Sequence, residues 1–336
     1  MHIYFSEKHR LHNTDQVIVN NQPYDIEEVP ARADIILDSL RSANLGQILP
    51  PDDHGLEPIL KIHTKDFVHH LQNIFSEQAA FYGEKQPVFP ETFATRPVRH
   101  RPACLFGRKG YYAFGVGSPI LEGTWQAAYW SAQCALSGAD QLLQDAHAAY
   151  SLCRPPGHHA ASDIYGGFCY LNNAAIAARF LDARTTILDI DYHHGNGTQE
   201  IFYQDPDVLY CSLHADPDDD YPYFWGGADE LGEGPGLGYN RNWPLPQHIN
   251  DSEYLAVLDE ALEVIAAFSP KYLVVSLGLD IGAGDPVGGF SITNDGFRQI
   301  SQRISDLRLP TLIIQEGGYM LDTLGANGIA FLQNFI

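Results

Sequence analysis

Short apolar runs alternate with stretches of helical periodicity along most of this chain. The apolar runs predict strands at 2–5, 149–153, 186–191, 207–214, 272–277 and 311–316. Apolar residues at helical spacing predict helices over 31–44, 123–145, 172–183, 252–268 and 294–307. Because runs such as 272–277 are apolar on both faces and alternate with helices, the pattern predicts an α/β fold with a mainly parallel sheet covered by helices.

One segment, 76–122, departs from this alternation. It is rich in glycine, proline and aromatic residues, and a connection of this length in a compact domain is usually functional or an interaction element. The sequence shows no internal repeat and no linker that would divide the chain. It therefore predicts a single domain spanning residues 1–336, with 76–122 as an insert.

The charge balance is strongly acidic, with 42 acidic against 20 basic residues and a net charge of −22. Such a chain repels nucleic acid phosphates, so we expect no nucleic-acid partner. It attracts cations and would concentrate a cationic substrate. The acidity could also serve only to keep the protein soluble. The two explanations do not exclude each other.

The five cysteines form no CxxC pair and no regular spacing, which is typical of a reducing compartment. The first residues lack a charged and then apolar leader, and no apolar stretch reaches the roughly 18 residues that span a bilayer. We therefore expect a cytoplasmic protein without a membrane partner.

Histidines and carboxylates stand just after several of the predicted strands. Residues 154–159 follow one strand, 189–193 lie at the end of another, and Asp280 and Tyr319 follow two more. In open parallel sheets, ligands bind beyond the carboxyl ends of the strands. The sequence therefore predicts that these segments converge on one edge of the sheet.

Two carboxylates and an imidazole in these segments predict a metal site. Asp191 and His193 are two positions apart, so their side chains share one face of an extended segment with Asp189. Asp280 can complete a set of three ligands with an open position, as in catalytic zinc sites. A metal there activates water and polarises a carbonyl, which indicates metal-assisted hydrolysis. Helix capping by the aspartates is the alternative, but successive buried carboxylates are costly without a cation.

Adjacent histidines follow a rigid Pro-Pro-Gly turn. His158 and His159 could accept a proton from water and later protonate a leaving amine, unless they are purely structural. Each needs a partner on its other ring nitrogen, and Asp189 and Asn196 are the expected partners.

Two aromatic residues after glycine pairs are further candidates. Tyr319 could donate a hydrogen bond to an oxyanion opposite the metal, and Phe168 could line a narrow channel. Either residue could equally well serve in packing.

Several motifs together carry a resemblance to a known family. They are Arg-Pro-Pro-Gly-His-His (154–159), Gly-Gly-Phe-Cys-Tyr-Leu-Asn-Asn (166–173), Asp-Ile-Asp-Tyr-His-His-Gly-Asn-Gly-Thr (189–198), Leu-Gly-Leu-Asp (277–280), Gly-Asp-Pro (284–286) and Glu-Gly-Gly-Tyr (316–319). With them the chain resembles the histone deacetylase superfamily from Phe5 to the C-terminus. Within it, Glu-Gly-Thr-Trp (122–125) and the insert are most similar to the bacterial acetylpolyamine amidohydrolases.

The resemblance implies an arginase–deacetylase fold, an open eight-stranded parallel sheet flanked by helices. It implies that Asp191, His193 and Asp280 bind Zn²⁺ or Fe²⁺. It makes His159 the general base and acid and gives His158 an electrostatic role.

The same resemblance assigns further ligands and roles. Tyr319 would polarise the substrate carbonyl. Structural K⁺ is implied at one site formed by Asp189, Asp191, His193, Ser212 and Leu213, and at a second formed by Phe202, Asp205, Val208 and Tyr239.

For the substrate, the resemblance implies a small cationic acetylated amine and a homodimer in which the insert shapes the channel. Phe168, Phe224 and Glu122 are the expected channel residues. The positions where the amidohydrolases carry acidic, cation-contacting groups hold Phe106 and Gly117 here. The cation would then be bound by Glu122, by the acidic residues Asp216, Asp218, Asp219 and Asp220, or by the aromatic residues Tyr221, Phe224 and Trp225.

The predicted function is therefore deacetylation of small acetylated polyamines such as N-acetylputrescine, N-acetylcadaverine or acetylspermidine. A broad acetyl-lysine protein deacetylase is the main alternative. An arginase-like binuclear manganese hydrolase would need a further aspartate after His194, where the chain has Gly195 and Asn196. A non-catalytic binding protein would have lost a ligand or Tyr319, and the chain has kept them.

Overall fold

The computed structural model describes residues 1–14, 18–19, 22–23, 26–94 and 98–336. Its strands are β1 (His2–Tyr4), β2 (Ile18–Val19), β3 (Gln22–Pro23), β4 (Gln47–Leu49), β5 (Ala148–Ser151), β6 (Thr185–Asp189), β7 (Val208–Ala215), β8 (Asn240–Leu245), β9 (Tyr272–Leu277) and β10 (Thr311–Gln315). Its α-helices are α1 (Ala31–Ser42), α2 (Glu57–Leu60), α3 (Lys65–Tyr82), α4 (Leu105–Tyr111), α5 (Thr124–Leu143), α6 (Asn173–Leu181), α7 (Asn196–Phe202), α8 (Asp251–Phe268), α9 (Asn294–Ser305) and α10 (Leu321–Leu332).

Eight of these strands form one sheet in the order β4-β1-β5-β10-β9-β6-β7-β8. Every neighbouring pair in this sheet is parallel. The short strands β2 and β3 pair with each other in antiparallel orientation. The predicted eight-stranded parallel sheet flanked by helices is thus confirmed.

Each face of the sheet carries its own hydrophobic cluster, because successive strand residues point to opposite faces. On β6, Ile187 belongs to the cluster that includes residues of α3, α5 and α6, whereas Leu188 belongs to the cluster that includes residues of α1, α8, α9 and α10. Val274 and Val275 of β9 divide between the two clusters in the same way. A fully buried side chain of this kind contributes about 1.5–3 kcal/mol. The strands that are apolar at successive positions are therefore held between two layers of helices.

The two edge strands were not predicted, and their sequences explain why. β8 carries Asn240, Asn242 and Pro244, so it lacks a continuous apolar run. A proline is tolerated there because an edge strand has no neighbour on one side. β4 has only three residues, none of them fully buried.

Some helices were also missed. α3 begins at the N-cap Thr64 and ends at Gly83, which has a left-handed φ of 76°. The last turns of this helix and the whole of α4 lie in the segment 76–122, so that segment is not a continuous loop. α10 contains Gly325, where an added Cβ would overlap Ser39 of α1, and glycine lowers helix propensity. None of the helices in the described ranges is both long enough and apolar enough to cross a membrane.

Candidate active site

The carboxyl ends of β5, β10, β9 and β6 lie side by side, because these strands are consecutive in the sheet. Each is followed by one of the segments that the sequence singled out: 154–159 after β5, 316–319 after β10, Asp280 after β9 and 189–193 at the end of β6. Side chains far apart in the chain therefore meet at one edge of the sheet.

Three of these side chains form a compact buried group. Asp191, His193 and Asp280 bring one ligand atom each to within 4.8 Å of one another. His193 Nδ1 lies 3.3 Å from Asp191 Oδ1 and 3.4 Å from Asp280 Oδ2. The backbone N–H groups of Tyr192 and Gly317 donate to Asp280 Oδ1 (3.1 Å) and Asp191 Oδ2 (2.8 Å) and so orient both carboxylates. Asp280 Oδ2 is buried, with no donor in hydrogen-bonding geometry among the described residues.

The charges in this group favour a cation. Burial opposes protonation of His193, but the carboxylates of Asp191 and Asp280 beside its ring raise its pKa to about 10. Burial and the nearby Asp191 raise the pKa of Asp280 to about 7. Two buried carboxylates this close together need a positive charge beside them. Two carboxylates, one imidazole and an unpartnered oxygen fit a divalent metal ion of the kind that catalytic zinc sites bind.

The two adjacent histidines have different partners. His158 Nδ1 lies 3.1 Å from Asp189 Oδ2, and its Nε2 lies 3.7 Å from Asp191 Oδ1. His159 Nδ1 lies 2.7 Å from the amide oxygen Asn196 Oδ1. The ring centroids of the two histidines are 4.0 Å apart. One imidazole therefore faces carboxylates, and the other faces a neutral amide.

This difference sets opposite protonation states. Burial opposes protonation of His158, but Asp191 and Asp189 raise its pKa to about 10. Burial, together with His158 and His193, lowers the pKa of His159 well below its usual range. At neutral pH, His158 is therefore protonated and His159 is neutral.

The turn that carries these histidines is fastened to the loop after β10. The backbone N–H groups of Gly157 and His158 donate to Glu316 Oε2 at 2.6 and 3.2 Å. Burial raises the pKa of Glu316 to about 7. The Glu-Gly-Gly-Tyr motif thus fixes the histidine turn as well as carrying Tyr319.

Sequence reasoning missed Arg32, which lies on the buried face of α1. Its Nε donates to the carbonyl oxygen of Gly318 (2.5 Å) and its Nη2 to that of Glu316 (2.7 Å). Its guanidinium lies 4.4 Å from the ring centroid of Tyr319, and its Nη1 donates to Glu28 Oε1 at 2.8 Å. The only signal in the sequence is an arginine at a position where the helical pattern predicts burial.

Tyr319 is held from several sides. Its ring centroid lies 5.8 Å from that of Phe168, and its backbone N–H donates to Asp285 Oδ2 at 2.7 Å. Burial raises the pKa of the Tyr319 phenol well above its usual range, so the hydroxyl stays protonated. No side chain or backbone group in the described part of the chain hydrogen-bonds to this hydroxyl, which leaves it available as a donor.

Aromatic residues surround the approach to this group. Phe168 has a left-handed φ of 66°, and its backbone N–H donates to Ser118 Oγ at 2.7 Å. Tyr221 stands edge-on to His159 with a centroid distance of 5.0 Å and stacks on Phe114 at 6.3 Å. Phe168 and Tyr221 are both half-buried.

The other expected channel residues lie farther out. The side chain of Phe224 is 82% exposed. Glu122 is exposed and forms an ion pair with Lys85 of the same chain. Gly117 lies close to Phe168, since a Cβ added there would lie 3.6 Å from Phe168 Cε1.

The residues implied as potassium ligands fall into two groups. Ser212 and Leu213 lie on β7, where Ser212 is in register with Asp189 of β6. The second group lies between the end of α7 and the start of β8 and consists of Phe202, Asp205, Val208 and Tyr239.

Comparisons with known proteins agree with this geometry. The chain matches the family model for the histone deacetylase domain over residues 26–334. It is 44% identical to acetylpolyamine amidohydrolases 1 and 2 of Pseudomonas aeruginosa, over 98% of this chain and 97% of each relative. It is 39% identical to the acetylpolyamine amidohydrolase of Mycoplana ramosa, over 97% of both chains. The crystal structure of an acetylpolyamine aminohydrolase from Burkholderia pseudomallei, from an iodide soak, matches with a TM-score of 0.94 and 40% identity, covering 100% of this chain and 98% of that chain.

The chain belongs to the histone deacetylase family. The resemblance inferred from its motifs is thereby confirmed. The prediction that the protein is an enzyme, a hydrolase of the deacetylase type, is confirmed as well. Relatives named acetylpolyamine amidohydrolase are more similar to it than histone deacetylase 5 of Arabidopsis thaliana, which is 30% identical over 92% of this chain and 46% of that protein.

Proposed function

We propose that this protein removes acetyl groups from small acetylated polyamines by hydrolysing their amide bonds. The observation that carries the proposal is the buried group of Asp191, His193 and Asp280 beside two adjacent histidines, of which His158 contacts the carboxylate of Asp189 and His159 the amide of Asn196. The names of the relatives with 44% identity support the class of substrate.

In this proposal Asp191, His193 and Asp280 hold Zn²⁺ or Fe²⁺. When bound, such an ion lowers the pKa of water and polarises the amide carbonyl. The unpartnered Asp280 Oδ2 supports the assignment. The backbone donors Tyr192 and Gly317 support it too, because they bind Asp280 Oδ1 and Asp191 Oδ2 and so hold Asp191 Oδ1 and Asp280 Oδ2 on the side of His193 Nδ1.

The two histidines divide the proton transfers. His159 is neutral, and the contact of its Nδ1 with the Asn196 amide oxygen assigns the N–H to that nitrogen. Its Nε2 then accepts a proton from the attacking water and later donates it to the leaving amine. His158 stays protonated beside Asp189 and stabilises the negative charge that develops during attack.

Tyr319 stabilises the same charge from the other side. Its protonated hydroxyl donates a hydrogen bond to the carbonyl oxygen of the scissile amide. Arg32 and Phe168 keep its ring in place, so this donor is oriented before the substrate binds.

The channel supports a small, unbranched substrate. Aromatic walls formed by Phe168 and Tyr221 suit an alkyl chain, and the net charge of −22 favours a cationic end. The acidic residues just before Tyr221 are exposed or half-buried and could face a distal ammonium group. A broad acetyl-lysine protein deacetylase remains the alternative, since the chemistry at the buried end would be the same.

We also propose a homodimer formed through the insert. Phe81, Tyr82 and Phe106 form an aromatic patch with ring centroids 5.0–6.5 Å apart, and the three side chains are 63%, 44% and 42% exposed. Large exposed apolar patches usually mark interfaces. Structural K⁺ at the two groups named above, a single catalytic domain and a cytoplasmic location stay predictions.

The proposal is tested by metal analysis combined with hydrolysis of a substrate panel. We expect about one equivalent of divalent metal per chain, with one catalytic site on each. Activity should be lost with a chelator and restored by Zn²⁺ or Fe²⁺. Acetylcadaverine, acetylputrescine and acetylspermidine should be hydrolysed with higher kcat/KM than an acetyl-lysine peptide or an acetylated folded protein. Equal kcat/KM for the folded protein and acetylcadaverine would favour the alternative, and a monomer in sedimentation would contradict the dimer.

A further inference from the structure

The hydroxyl group of Tyr221 is a buried polar atom without a partner. The residue as a whole is half-buried, but its hydroxyl oxygen is buried, and it has no hydrogen-bond partner among the residues that the structure describes. A buried hydroxyl that makes no hydrogen bond destabilises a protein, so such atoms usually meet a water or a ligand. A phenylalanine at position 221 would provide the same ring without an unpaired buried hydroxyl.

This hydroxyl lies next to the acid–base histidine. A Cβ built on Gly167 would overlap His159 Cδ2 and would lie 2.9 Å from the Tyr221 hydroxyl oxygen. The Tyr221 ring is edge-on to His159 at 5.0 Å and to His193 at 6.0 Å, centroid to centroid. The hydroxyl is therefore at the depth of the reacting groups rather than at the channel mouth.

Packing keeps the ring in this position. Phe114 of the insert stacks on Tyr221 with an interplanar angle of 17°. Phe114 is itself held against Gly166, where an added Cβ would lie 2.6 Å from its ring. Tyr223, two residues farther along the same loop, is 56% exposed. Only the first of these two tyrosines is fixed at the site.

The aromatic residues Phe168 and Tyr221 lie beside different catalytic groups. Phe168 neighbours Tyr319, which takes the carbonyl oxygen of the substrate in the proposed function. Tyr221 neighbours His159, which delivers a proton to the amide nitrogen. An amide bound between these groups turns its N–H away from Tyr319, because the oxygen and the hydrogen of a trans amide point in opposite directions.

We propose that the Tyr221 hydroxyl accepts a hydrogen bond from the N–H of the scissile amide and so makes the site selective for amides. The inference rests on the proposed function, since it assumes an acetylated amine in the channel. Tyr221 is then a specificity-determining residue that contacts the substrate directly. Burial raises the pKa of its phenol well above the usual range, so the hydroxyl remains neutral and keeps lone pairs for acceptance.

The test compares Tyr221→Phe with Tyr223→Phe on two substrates. The substrates differ only in the group that would donate a hydrogen bond to the Tyr221 hydroxyl. N-acetylcadaverine carries the amide N–H, and 5-aminopentyl acetate has an ester oxygen in its place. Loss of one hydrogen bond to a buried N–H should lower kcat/KM of Tyr221→Phe for the amide by about tenfold. For the ester, kcat/KM of this variant should equal that of the unaltered enzyme. Tyr223→Phe should change neither substrate.

A binding measurement removes any dependence on the rate-limiting step. The ketone 8-aminooctan-2-one replaces the amide N–H by CH₂, so its inhibition constant should be the same for Tyr221→Phe and the unaltered enzyme. Equal losses on amide and ester, a weakened ketone, or an unchanged amide rate would each overturn the inference. If the unaltered enzyme hydrolyses the ester but no acetylated amine, the proposed function itself has failed, and that outcome does not depend on the variant.

Discussion

The buried end of the site and its outer rim differ in how firmly the fold holds their side chains. At the buried end, Asp191 and His158 contact residues that follow neighbouring strands, and both side chains are oriented by hydrogen-bond or ion-pair partners. At the rim, Phe224 is 82% exposed, and its nearest aromatic neighbours contact it only by ring edges. Consecutive strands of one sheet build the first region, and an irregular loop builds the second.

This difference suggests that the buried end carries out the reaction and that the rim selects the substrate. Residues after consecutive parallel strands cannot move relative to each other without breaking the sheet, so the buried end suits chemistry that needs fixed distances. Loops tolerate substitution, and rim residues can vary with the substrate.

The largest effect is expected at the metal ligands. Asp280→Ala should remove bound metal and lower kcat by more than about 10³-fold, since losing a residue that merely supports a ligand already costs 10–100-fold. Asp259→Ala is a matched control, because Asp259 is exposed on α8 and, among the residues that the structure describes, forms an ion pair only with Arg303. Metal content, kcat and thermal unfolding should be measured for both variants. Full activity with stoichiometric metal in Asp280→Ala would remove Asp280 from the ligand set.

The next effect distinguishes two residues within the buried end. His159→Ala should lose about 10²–10⁴-fold in kcat, the range for general acid–base catalysis, and His158→Ala should lose less. The reason is that the neutral His159 can accept a proton, whereas His158 beside Asp189 is already protonated. Metal content should be measured in both variants, because His158 also lies 3.7 Å from Asp191. Equal losses, or the reverse order, would contradict this division of roles.

Much of the buried end was predictable because its residues follow recognisable strands. Apolar runs placed β5, β6, β9 and β10, and the rule for parallel sheets then predicted that the segments after them meet. Arg32 could not be found in this way, since it lies on a helix with no motif and acts through backbone oxygens of a distant loop. The edge strands β4 and β8 were not predicted, because a strand that pairs on one side only needs no continuous apolar pattern.

The rim was predicted less well for a physical reason. The sequence offered Tyr221, Phe224 and Trp225 as equivalent aromatic residues, and a loop without regular periodicity does not indicate which of them turns inward. The structure places Tyr221 against His159 and Phe224 in the open. Glu122 likewise had no local signal for its pairing with Lys85, which is distant in the chain.

The smallest effect is expected at the rim. Testing Phe224 together with Phe168, which lies beside Tyr319, compares the rim directly with the buried end. Phe224→Ala should change KM and kcat for acetylcadaverine by less than about twofold, because exposed substitutions usually cost within ±0.5 kcal/mol. Phe168→Ala should raise KM by about tenfold, since it removes a half-buried wall that also packs on Tyr319. Steady-state kinetics on acetylputrescine, acetylcadaverine and acetylspermidine should be compared for both variants. If Phe224→Ala raised KM more than Phe168→Ala, the outer loop would have to close over the substrate, and the rim would then be part of the fixed site.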